Sequence, residues 1–416
     1  MSSRLVIISA NWPEFDATAA GLRMHQLIDL LIDQAIEVHY ATTAAFHPKH
    51  SALLEEKKVK VHSIVLNSDS FDQWIKQLNC DLVLYDRYVV EEQFGWRVTQ
   101  QLPNAITLLD TEDLHSLRVS RQLAHREQID WSIAYWKAQD ITKRELASIY
   151  RCDLSLIISK VEYELLIEEF HLSKDLLVEL PFMPKRPAIQ ALSYEQRSDM
   201  VFIGNGMHAP NRDAITFLKT EVWPLIRSQL KEVKLHIYGA YLPQSILNYH
   251  QPKEGFIVHG KAQDALEVIS ASRVNLAPLR YGAGIKGKVV EAVLCQTPTV
   301  VSPIAGEGID GIELTSCTAK TIAQQAIALY NNQQLWSDQQ KSYIPIAKKL
   351  METEKYSCTF ITHLTKLKAA LAEHRNKNFI GLVLKHQSLQ STKYLSKWIE
   401  EKNKKQEHGT TPMENR

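Results

Sequence analysis

The 416-residue chain has few cysteines, and none is placed for metal binding or cross-linking. The five lie far apart and form no Cys-x-x-Cys pair: Cys80, Cys152, Cys295, Cys317 and Cys358. Zinc sites and disulfide frameworks both need cysteines at characteristic spacings. We therefore predict reduced, buried thiols and no metal site.

The sequence also lacks a long apolar run, a strong net charge and a dinucleotide fingerprint. No segment approaches the ~20 apolar residues of a spanning helix, and no secretory signal precedes the first strand, so a cytoplasmic location is expected. The formal net charge of +1 offers no basic surface for nucleic acid. The first predicted strand–helix turn lacks Gly-x-Gly-x-x-Gly, which argues against a dinucleotide dehydrogenase.

Short apolar runs alternate with helical periodicity along most of the chain, as at Leu5–Ser9 and Met200–Ile203. This rhythm is typical of parallel sheets covered by helices on both faces. A long helix is predicted from about Gln128 to Tyr150. Periodicity is lost from Pro181 to Arg197, which indicates a linker. We predict two doubly wound, Rossmann-like α/β domains, residues 1–185 and 186–357.

The end of the chain follows a different pattern. From Asn376 onward the periodicity fades and lysines accumulate. We interpret residues 376–416 as a basic, solvated and partly disordered tail. The alternative is that Phe379–Leu384 seats in a membrane interface beside these lysines, which would make the protein peripheral at the inner membrane surface.

A glycine-rich loop between two strands, within residues 275–303, is the first candidate site. Its glycines and cations are Gly282, Gly284, Lys286, Gly287 and Lys288. Small residues let the backbone approach an anion, and a following helix directs free N–H groups at it, so the loop is predicted to bind phosphate.

One helical turn beyond the loop, Glu291 is placed to accept hydrogen bonds from ribose hydroxyls. The alternative is an ordinary i,i+3 ion pair between Lys288 and Glu291.

A second candidate site follows the predicted strand Ala105–Leu109. Its charged residues are Asp110, Asp113, His115 and Arg118. Ligands bind at the carboxyl ends of strands in such sheets, so chemistry is expected here. A capping and salt-bridge cluster, with Asp113 as a helix N-cap, is the alternative.

Both stretches resemble retaining glycosyltransferases of GT-B fold and GT4 type, the glycosyl transferases group 1. The loop and Glu291 match the donor-site segment of that family, in which the glutamate holds the nucleotide ribose. Asp110-x-x-Asp-x-His-x-x-Arg118 matches one GT4 branch, in which the histidine reaches the donor sugar. Ser159-Lys-Val-Glu162 looks like a further family motif, although a capping box explains it equally well.

The resemblance covers roughly residues 4–374 and implies a GT-B protein whose helix 358–375 crosses back to the first domain. It implies that the first domain contributes Gly21 and Arg23 to donor binding, together with Asp110, Asp113 and Arg118. The second domain would contribute glycines after its strands (Gly204, Gly239 and Gly260), with Gly260 at the nucleobase.

Two departures from the family pattern stand out. Ala283 occupies the position of the first glutamate of the family's Glu-x7-Glu motif, so that sugar contact is missing or replaced. Residues 207–211, Met-His-Ala-Pro-Asn, contain neither the Arg nor the Lys that often grips the diphosphate. We assign the diphosphate contact to Arg280, Lys286 and Lys288 instead.

The implied function is transfer of a sugar from a nucleoside-diphosphate sugar of UDP or GDP type. Transfer would retain the anomeric configuration and need no metal or other cofactor; the acceptor would be a saccharide, a lipid-linked group or another molecule. His115, Lys286 and Glu291 are the predicted catalytic residues. Two alternatives remain: a GT-B sugar-nucleotide epimerase, and a non-catalytic nucleotide-sugar-binding protein.

Overall fold

The computed structural model describes residues 3–185 and 191–408, and most of it belongs to two parallel α/β units. The strands of the first sheet are β1 (Arg4–Ser9), β2 (Glu37–Thr42), β3 (Lys60–Ser63), β4 (Leu82–Asp86), β5 (Ile106–Asp110), β6 (Leu154–Ile157) and β7 (Leu177–Glu179). Those of the second are β8 (Ser198–Ile203), β9 (Leu235–Tyr238), β10 (Phe256–Gly260), β11 (Ser272–Ala277) and β12 (Thr299–Val301). The spatial orders are β3-β2-β1-β4-β5-β6-β7 and β10-β9-β8-β11-β12. Both sheets are doubly wound, as the sequence predicts.

Helices cover both faces of the first sheet. They are α1 (Ala19–Asp33), α2 (Pro48–Glu56), α3 (Asp69–Leu78), α4 (Tyr88–Gln101), α5 (His115–Glu127), α6 (Ile133–Ala138), α7 (Asp140–Arg151) and α8 (Lys160–Phe170). The prediction of one helix from Gln128 to Tyr150 is wrong. Gln128 adopts a left-handed conformation that ends α5, and extended Gln139 separates α6 from α7.

The helices of the second unit are α9 (Ala209–Phe217), α10 (Trp223–Gln229), α11 (Gln244–Leu247), α12 (Ala265–Ala271), α13 (Gly287–Leu294), α14 (Pro303–Gly306), α15 (Ala319–Asn331) and α16 (Gln333–Met351). A π-helical segment, Leu218–Val222, joins α9 to α10. Two long helices follow, α17 (Glu354–Lys377) and α18 (Phe379–His408). No helix within the described residues is long and apolar enough to cross a membrane.

The second unit has one large apolar core, whereas the first sheet has one on each face. Phe360, Leu364 and Leu367 of α17 are buried in a core of the first sheet. The chain therefore returns to the first unit after completing the second. The predicted linker falls partly on residues 186–190, which lie outside the described residues.

From the sequence we interpret residues 376–416 as a basic, solvated and partly disordered tail, but residues 379–408 of it form the long helix α18. Polar contacts hold this helix to the first unit. Arg97 of α4 is buried and donates to Asp72 (2.7 Å), Ser396 (3.1 Å) and Glu400 (3.3 Å). A search for apolar periodicity misses such a helix, since its inward-facing groups include serine and glutamate. Residues 409–416 of the predicted tail lie outside the described residues.

Candidate functional site at the cleft between the two units

The glycine-rich loop connects β11 to α13, and β12 follows, which is the predicted order of elements. The loop lies directly against the first unit. At Gly284 (φ +68°), a Cβ atom would come within 2.9 Å of the Cβ of Asp113, and at Gly287 one would lie 3.2 Å from that of Ala19. In this arrangement the glycines let the two units approach each other, in addition to any approach of a ligand.

Glu162 joins the two units at this point. Its Oε1 accepts from the N–H of Gly284 (2.7 Å) and from the N–H of Leu114 (3.2 Å). Ser159 precedes α8 but makes no side-chain cap, so the capping-box interpretation of Ser159–Glu162 is wrong. Burial raises the pKa of Glu162, and its Oε2 is buried without a hydrogen-bond partner. The carboxyl group thus accepts the hydrogen bond of the Gly284 N–H, which a bound phosphate could otherwise accept.

Lys286 is already paired inside the protein. Its ammonium donates to the carbonyl of Gly284 (2.8 Å) and lies 3.4 Å from a carboxylate oxygen of Glu307. Arg121 of α5 donates to both oxygens of Glu307 (2.7 and 2.8 Å) and to the carbonyl of Gly282 (2.8 Å). Arg121, Glu307 and Lys286 therefore form a three-residue ionic bridge between the units.

Lys288 has a different environment, because its hydrogen-bond partner is uncharged. The ammonium donates to Oδ1 of Asn211 (2.6 Å) and lies 4.2 Å from the ring centre of Phe202. Enclosure lowers the pKa of Lys288 to about 7, although the carboxylate of Glu291 opposes the shift. The alternative of a direct Lys288–Glu291 pair is not what the structure has; Lys288 bonds to Asn211 instead. An entering anion would stabilise the charged form of this lysine.

Arg280 has a close side-chain partner, whereas the carboxylate of Glu291 has none among the described residues. Arg280 donates to both oxygens of Asp213 (2.8 and 2.6 Å). Glu291 is half-buried, burial raises its pKa, and no described residue donates a hydrogen bond to its carboxylate. Glu291 is thus available to a ligand, whereas the guanidinium of Arg280 is largely engaged.

On the first unit, the predicted cluster stands at the carboxyl end of β5. Arg118 donates to Asp113 from Nε (2.7 Å) and Nη2 (3.4 Å). Burial alone would raise the pKa of Asp113, but Arg118 and His115 hold it well below its usual range. The prediction of Asp113 as an N-cap is wrong. Leu114 holds that position, and Glu145 accepts from the N–H groups of His115 and Ser116 (2.9 Å each).

His115 sits between these carboxylates with a side chain that is 21% exposed. Its Nδ1 lies 3.8 Å from Asp113 and 3.9 Å from Glu145, too far for a hydrogen bond. Burial lowers the pKa of His115 to about 3, with Asp113 opposing the shift. The imidazole is therefore neutral at physiological pH and can donate or accept a hydrogen bond.

Arg23 and Asp110 form a buried pair beside this cluster. Arg23 donates to Oδ1 of Asp110 from Nε (3.2 Å) and Nη2 (3.0 Å), and to the carbonyl of Leu180. Both side chains are almost fully buried, so this pair stabilises the strand ends from inside the protein. Gly21 belongs to the same helix, α1, and packs against the backbone of Glu14.

Sequence reasoning missed Arg87 and His208. Arg87 follows β4 with φ +73° and ψ 157°, a conformation that costs about 1–3 kcal/mol in a residue other than glycine. Its guanidinium lies 3.8 Å from Asp86, which raises its pKa most, ahead of Glu112 and Asp113. Strain of this kind at a strand end is a sign of a functional site, but no residue pattern encodes it.

His208 precedes α9 and faces the first unit. Enclosure in the cleft lowers its pKa, and the charges of Arg118, Arg87 and Lys288 act in the same direction. These three cations, one histidine from each unit and Asp113 therefore share one region between the two sheets. A clue was present in the sequence, since residues 207–211 follow a strand and contain a histidine.

Three predicted glycines stand at the ends of second-unit strands: Gly204 follows β8, Gly239 follows β9, and Gly260 ends β10. The N–H of Gly204 donates to Tyr238, and that of Gly239 donates to Gly260 (2.7 Å). Gly260 has φ +88°, and a Cβ there would meet nothing within 4 Å, so open space adjoins it. Within the described residues, no three His, Cys, Asp or Glu side chains are grouped as metal ligands.

Comparison with solved structures identifies the class of fold. A mutant of S. aureus TarM in complex with fondaparinux, alpha-GlcNAc-glycerol and UDP aligns with a TM-score of 0.67 over 87% of this chain and 99% of that chain, at 9% identity. Anabaena HepE in complex with UDP and glucose gives 0.62 over 88% and 100%, at 12% identity. WaaG, a glycosyltransferase involved in lipopolysaccharide biosynthesis, gives 0.59 over 85% and 98%, at 11% identity. The fold is GT-B.

Most of the second unit matches a known family model. Residues 197–332 match the family model described as Glycosyl transferases group 1. A search of curated proteins by sequence gives no match. The chain thus contains a glycosyl transferases group 1 domain within a GT-B fold, and these findings together support a glycosyltransferase enzyme.

Proposed function

We propose that this protein transfers a sugar from a nucleoside-diphosphate sugar, of UDP or GDP type, to a glycan or other hydroxyl-bearing acceptor, with retention of configuration and without a metal ion. The observation that carries the proposal is the group of cations shared by the two units. Arg87 and Arg118 of the first unit and Lys288 of the second all lie close enough to His208 for their charges to lower its pKa. Such a group can neutralise a diphosphate as it departs.

Three of the predicted residues, Lys288, Glu291 and His115, have specific tasks in the proposal. Lys288 and the start of α13 receive the diphosphate, and Glu291 accepts from the ribose hydroxyls. His115, held neutral by burial, hydrogen-bonds the sugar. Its hydrogen bond matters most when the cleft is closed around the reacting complex.

The support for a leaving-group role is uneven among the predicted cations. Lys288 has a neutral protein partner, whereas Lys286 and Arg280 each have a carboxylate. A cation that already has a carboxylate partner gains less from a phosphate than one that does not. We therefore assign the main diphosphate contact to Lys288 and keep Lys286 and Arg280 as secondary candidates.

Ala283 bears on the position of the missing glutamate. It is buried and packs with the apolar core of the first unit that includes Leu114 and Leu117. A glutamate at that position would bring a charge into this core at considerable cost. We therefore assign the sugar contacts to residues of the first unit, principally to His115.

The proposal is tested with the full chain in two steps. Thermal shift with UDP, GDP and other nucleoside diphosphates identifies the nucleotide, because a ligand stabilises the folded state by RT ln(1+[L]/Kd). Sugar transfer or slow donor hydrolysis is then followed by NMR, which reads the anomeric configuration of the product, with and without excess EDTA. Turnover in EDTA with retention is expected. An inverted product, complete loss in EDTA restored by Mg²⁺, or formation of an epimer of the donor sugar would contradict it.

A further inference from the structure

The outer surface of α18 exposes several large apolar side chains, whereas polar and charged groups hold its inner surface to the first unit. Six large apolar side chains on this helix are exposed: Phe379, Ile380, Val383, Tyr394, Leu395 and Trp398. Phe379 is 70% exposed and Trp398 is 61% exposed. A surface helix in water normally has the reverse arrangement, with apolar residues toward the core.

The inward contacts of α18 show this inversion directly. Ser396 and Glu400 are buried against Arg97, Lys385 lies 3.8 Å from Asp153, and Lys404 lies 3.3 Å from Asp69. These polar contacts fix the rotation of the helix about its axis. They thereby direct Tyr394 and Trp398 away from the protein.

The exposed residues lie on one side of the helix, in two clusters. Val383, Gln387, Ser391, Tyr394 and Trp398 succeed one another at intervals of three or four residues, which places them along one face. The exposed polar residues Gln387 and Ser391 interrupt the apolar surface between the clusters. The gap from Val383 to Tyr394 is about 16 Å at 1.5 Å per residue.

This pattern suits a lipid surface better than a partner helix. A helix partner packs against a continuous apolar seam, which Gln387 and Ser391 would break. A bilayer interface accepts separate apolar anchors, and tyrosine and tryptophan favour it because their rings are apolar while their polar groups reach water.

The charge of the segment indicates the kind of lipid. Residues 376–408 contain seven lysines and three glutamates, in a chain whose net charge is +1. Glu400 is buried and paired with Arg97, and three of the lysines (Lys385, Lys397 and Lys404) are likewise paired with carboxylates of the first unit, so these four residues add no charge to the outer face. Lys402 lies next to the anchors, with its ammonium 5.4 Å from the ring centre of Trp398. Lysines beside interfacial aromatic residues are attracted to anionic headgroups.

We infer that the outer face of α18 docks the protein on an anionic phospholipid surface. Tyr394, Leu395 and Trp398 form one anchor, Phe379, Ile380 and Val383 form the other, and Lys402 contributes charge. This inference does not depend on the proposed sugar transfer, because lipid binding is measured without a donor or acceptor.

The test uses flotation of the full chain with two kinds of vesicle, phosphatidylcholine alone and phosphatidylcholine mixed with phosphatidylglycerol. Wild-type protein is expected to float with the anionic vesicles and to release as salt is raised. The triple variant Tyr394→Ser, Leu395→Ser, Trp398→Ser should bind at least about tenfold more weakly, which corresponds to a loss of about 1.4 kcal/mol or more. Because these side chains point outward, its melting temperature should match that of wild type.

Two controls make the outcome specific. Phe46→Ser removes an aromatic residue that is 71% exposed elsewhere on the first unit and should bind vesicles like wild type. Fluorescence quenching by brominated phosphatidylglycerol should be seen in wild type and be reduced in Trp398→Phe. Absence of flotation with either vesicle, or equal flotation of the triple variant, would overturn the inference. A dimer in light scattering that the triple variant abolishes, without vesicle binding, would instead assign the face to a second copy of the chain.

Discussion

The two units line the cleft with similar numbers of cations, but in each unit only some of these cations are free of a close carboxylate partner and so available to a ligand. On the second unit, Lys286 and Arg280 each have a carboxylate partner, and Lys288 has only the amide of Asn211. On the first unit, Arg118 is paired with Asp113 at 2.7 Å, whereas the nearest carboxylate oxygen to Arg87 is at 3.8 Å. Each wall thus offers one weakly paired cation. The capacity to bind a diphosphate depends on these two more than on the total.

Replacing Lys288 should cause the largest loss of nucleoside-diphosphate affinity. Lys288→Ala removes the cation with a neutral partner, and the loss of one charge-assisted contact costs about 1.5–3 kcal/mol, or roughly ten- to over a hundredfold in affinity. Binding of the nucleoside diphosphate is measured by calorimetry, with the melting temperature of the free protein as control. Unchanged affinity would exclude Lys288 from the diphosphate site.

The pH dependence of binding should show the same difference with a smaller effect. Enclosure lowers the pKa of free Lys288 to about 7. A bound diphosphate favours the charged form and raises that pKa, so binding takes up a proton once the pH exceeds about 7. Affinity should therefore fall as pH rises from 7, by up to ~tenfold per pH unit.

Calorimetry between pH 7.5 and 9 measures this change of affinity with pH. A guanidinium stays charged throughout that pH range. Lys288→Arg is therefore the matched control and should give a nearly flat profile. A flat profile in wild type, or the same slope in Lys288→Arg, would place the titrating group elsewhere.

His115 should affect turnover more than nucleotide binding. If its neutral imidazole contacts the sugar, His115→Ala should lower kcat by about tenfold, while the Kd of a nucleoside diphosphate, which lacks the sugar, stays within about twofold. The variant His115→Asn keeps a hydrogen-bonding side chain and should therefore have a higher kcat than His115→Ala. Parallel losses of melting temperature, Kd and kcat would indicate a structural histidine.

The fold could be predicted from the sequence because buried parallel strands are short apolar runs separated by helical periodicity. The α18 helix could not, since polar contacts such as those of Arg97 fix it in place. In the candidate site, the positions of Asp113 and His115 just beyond a strand and of Lys288 at the start of a helix could be predicted from the sequence. Pairing across the units, such as Glu307 with Arg121, joins residues 186 positions apart and follows from tertiary structure alone. The strained backbone of Arg87 is likewise invisible in a residue pattern.

Replacing Lys286 should cause the smallest change in nucleoside-diphosphate affinity, in contrast to Lys288. Its ammonium is directed to the carbonyl of Gly284 and to Glu307, and burial lowers its pKa. Lys286→Ala should therefore change nucleoside-diphosphate affinity by no more than about threefold, since Lys288 and Arg87 remain. Burial in an ionic bridge predicts instead a loss of stability of about 1–3 kcal/mol, read as a lower melting temperature.

Glu307→Gln is the matched variant for Lys286, because it weakens the same bridge without touching a cation and should lower the melting temperature in the same way. Should Lys286→Ala lose tenfold or more in affinity at an unchanged melting temperature, the ammonium must leave Glu307 for the ligand. The diphosphate would then be held by both lysines of the loop, as the sequence alone suggests.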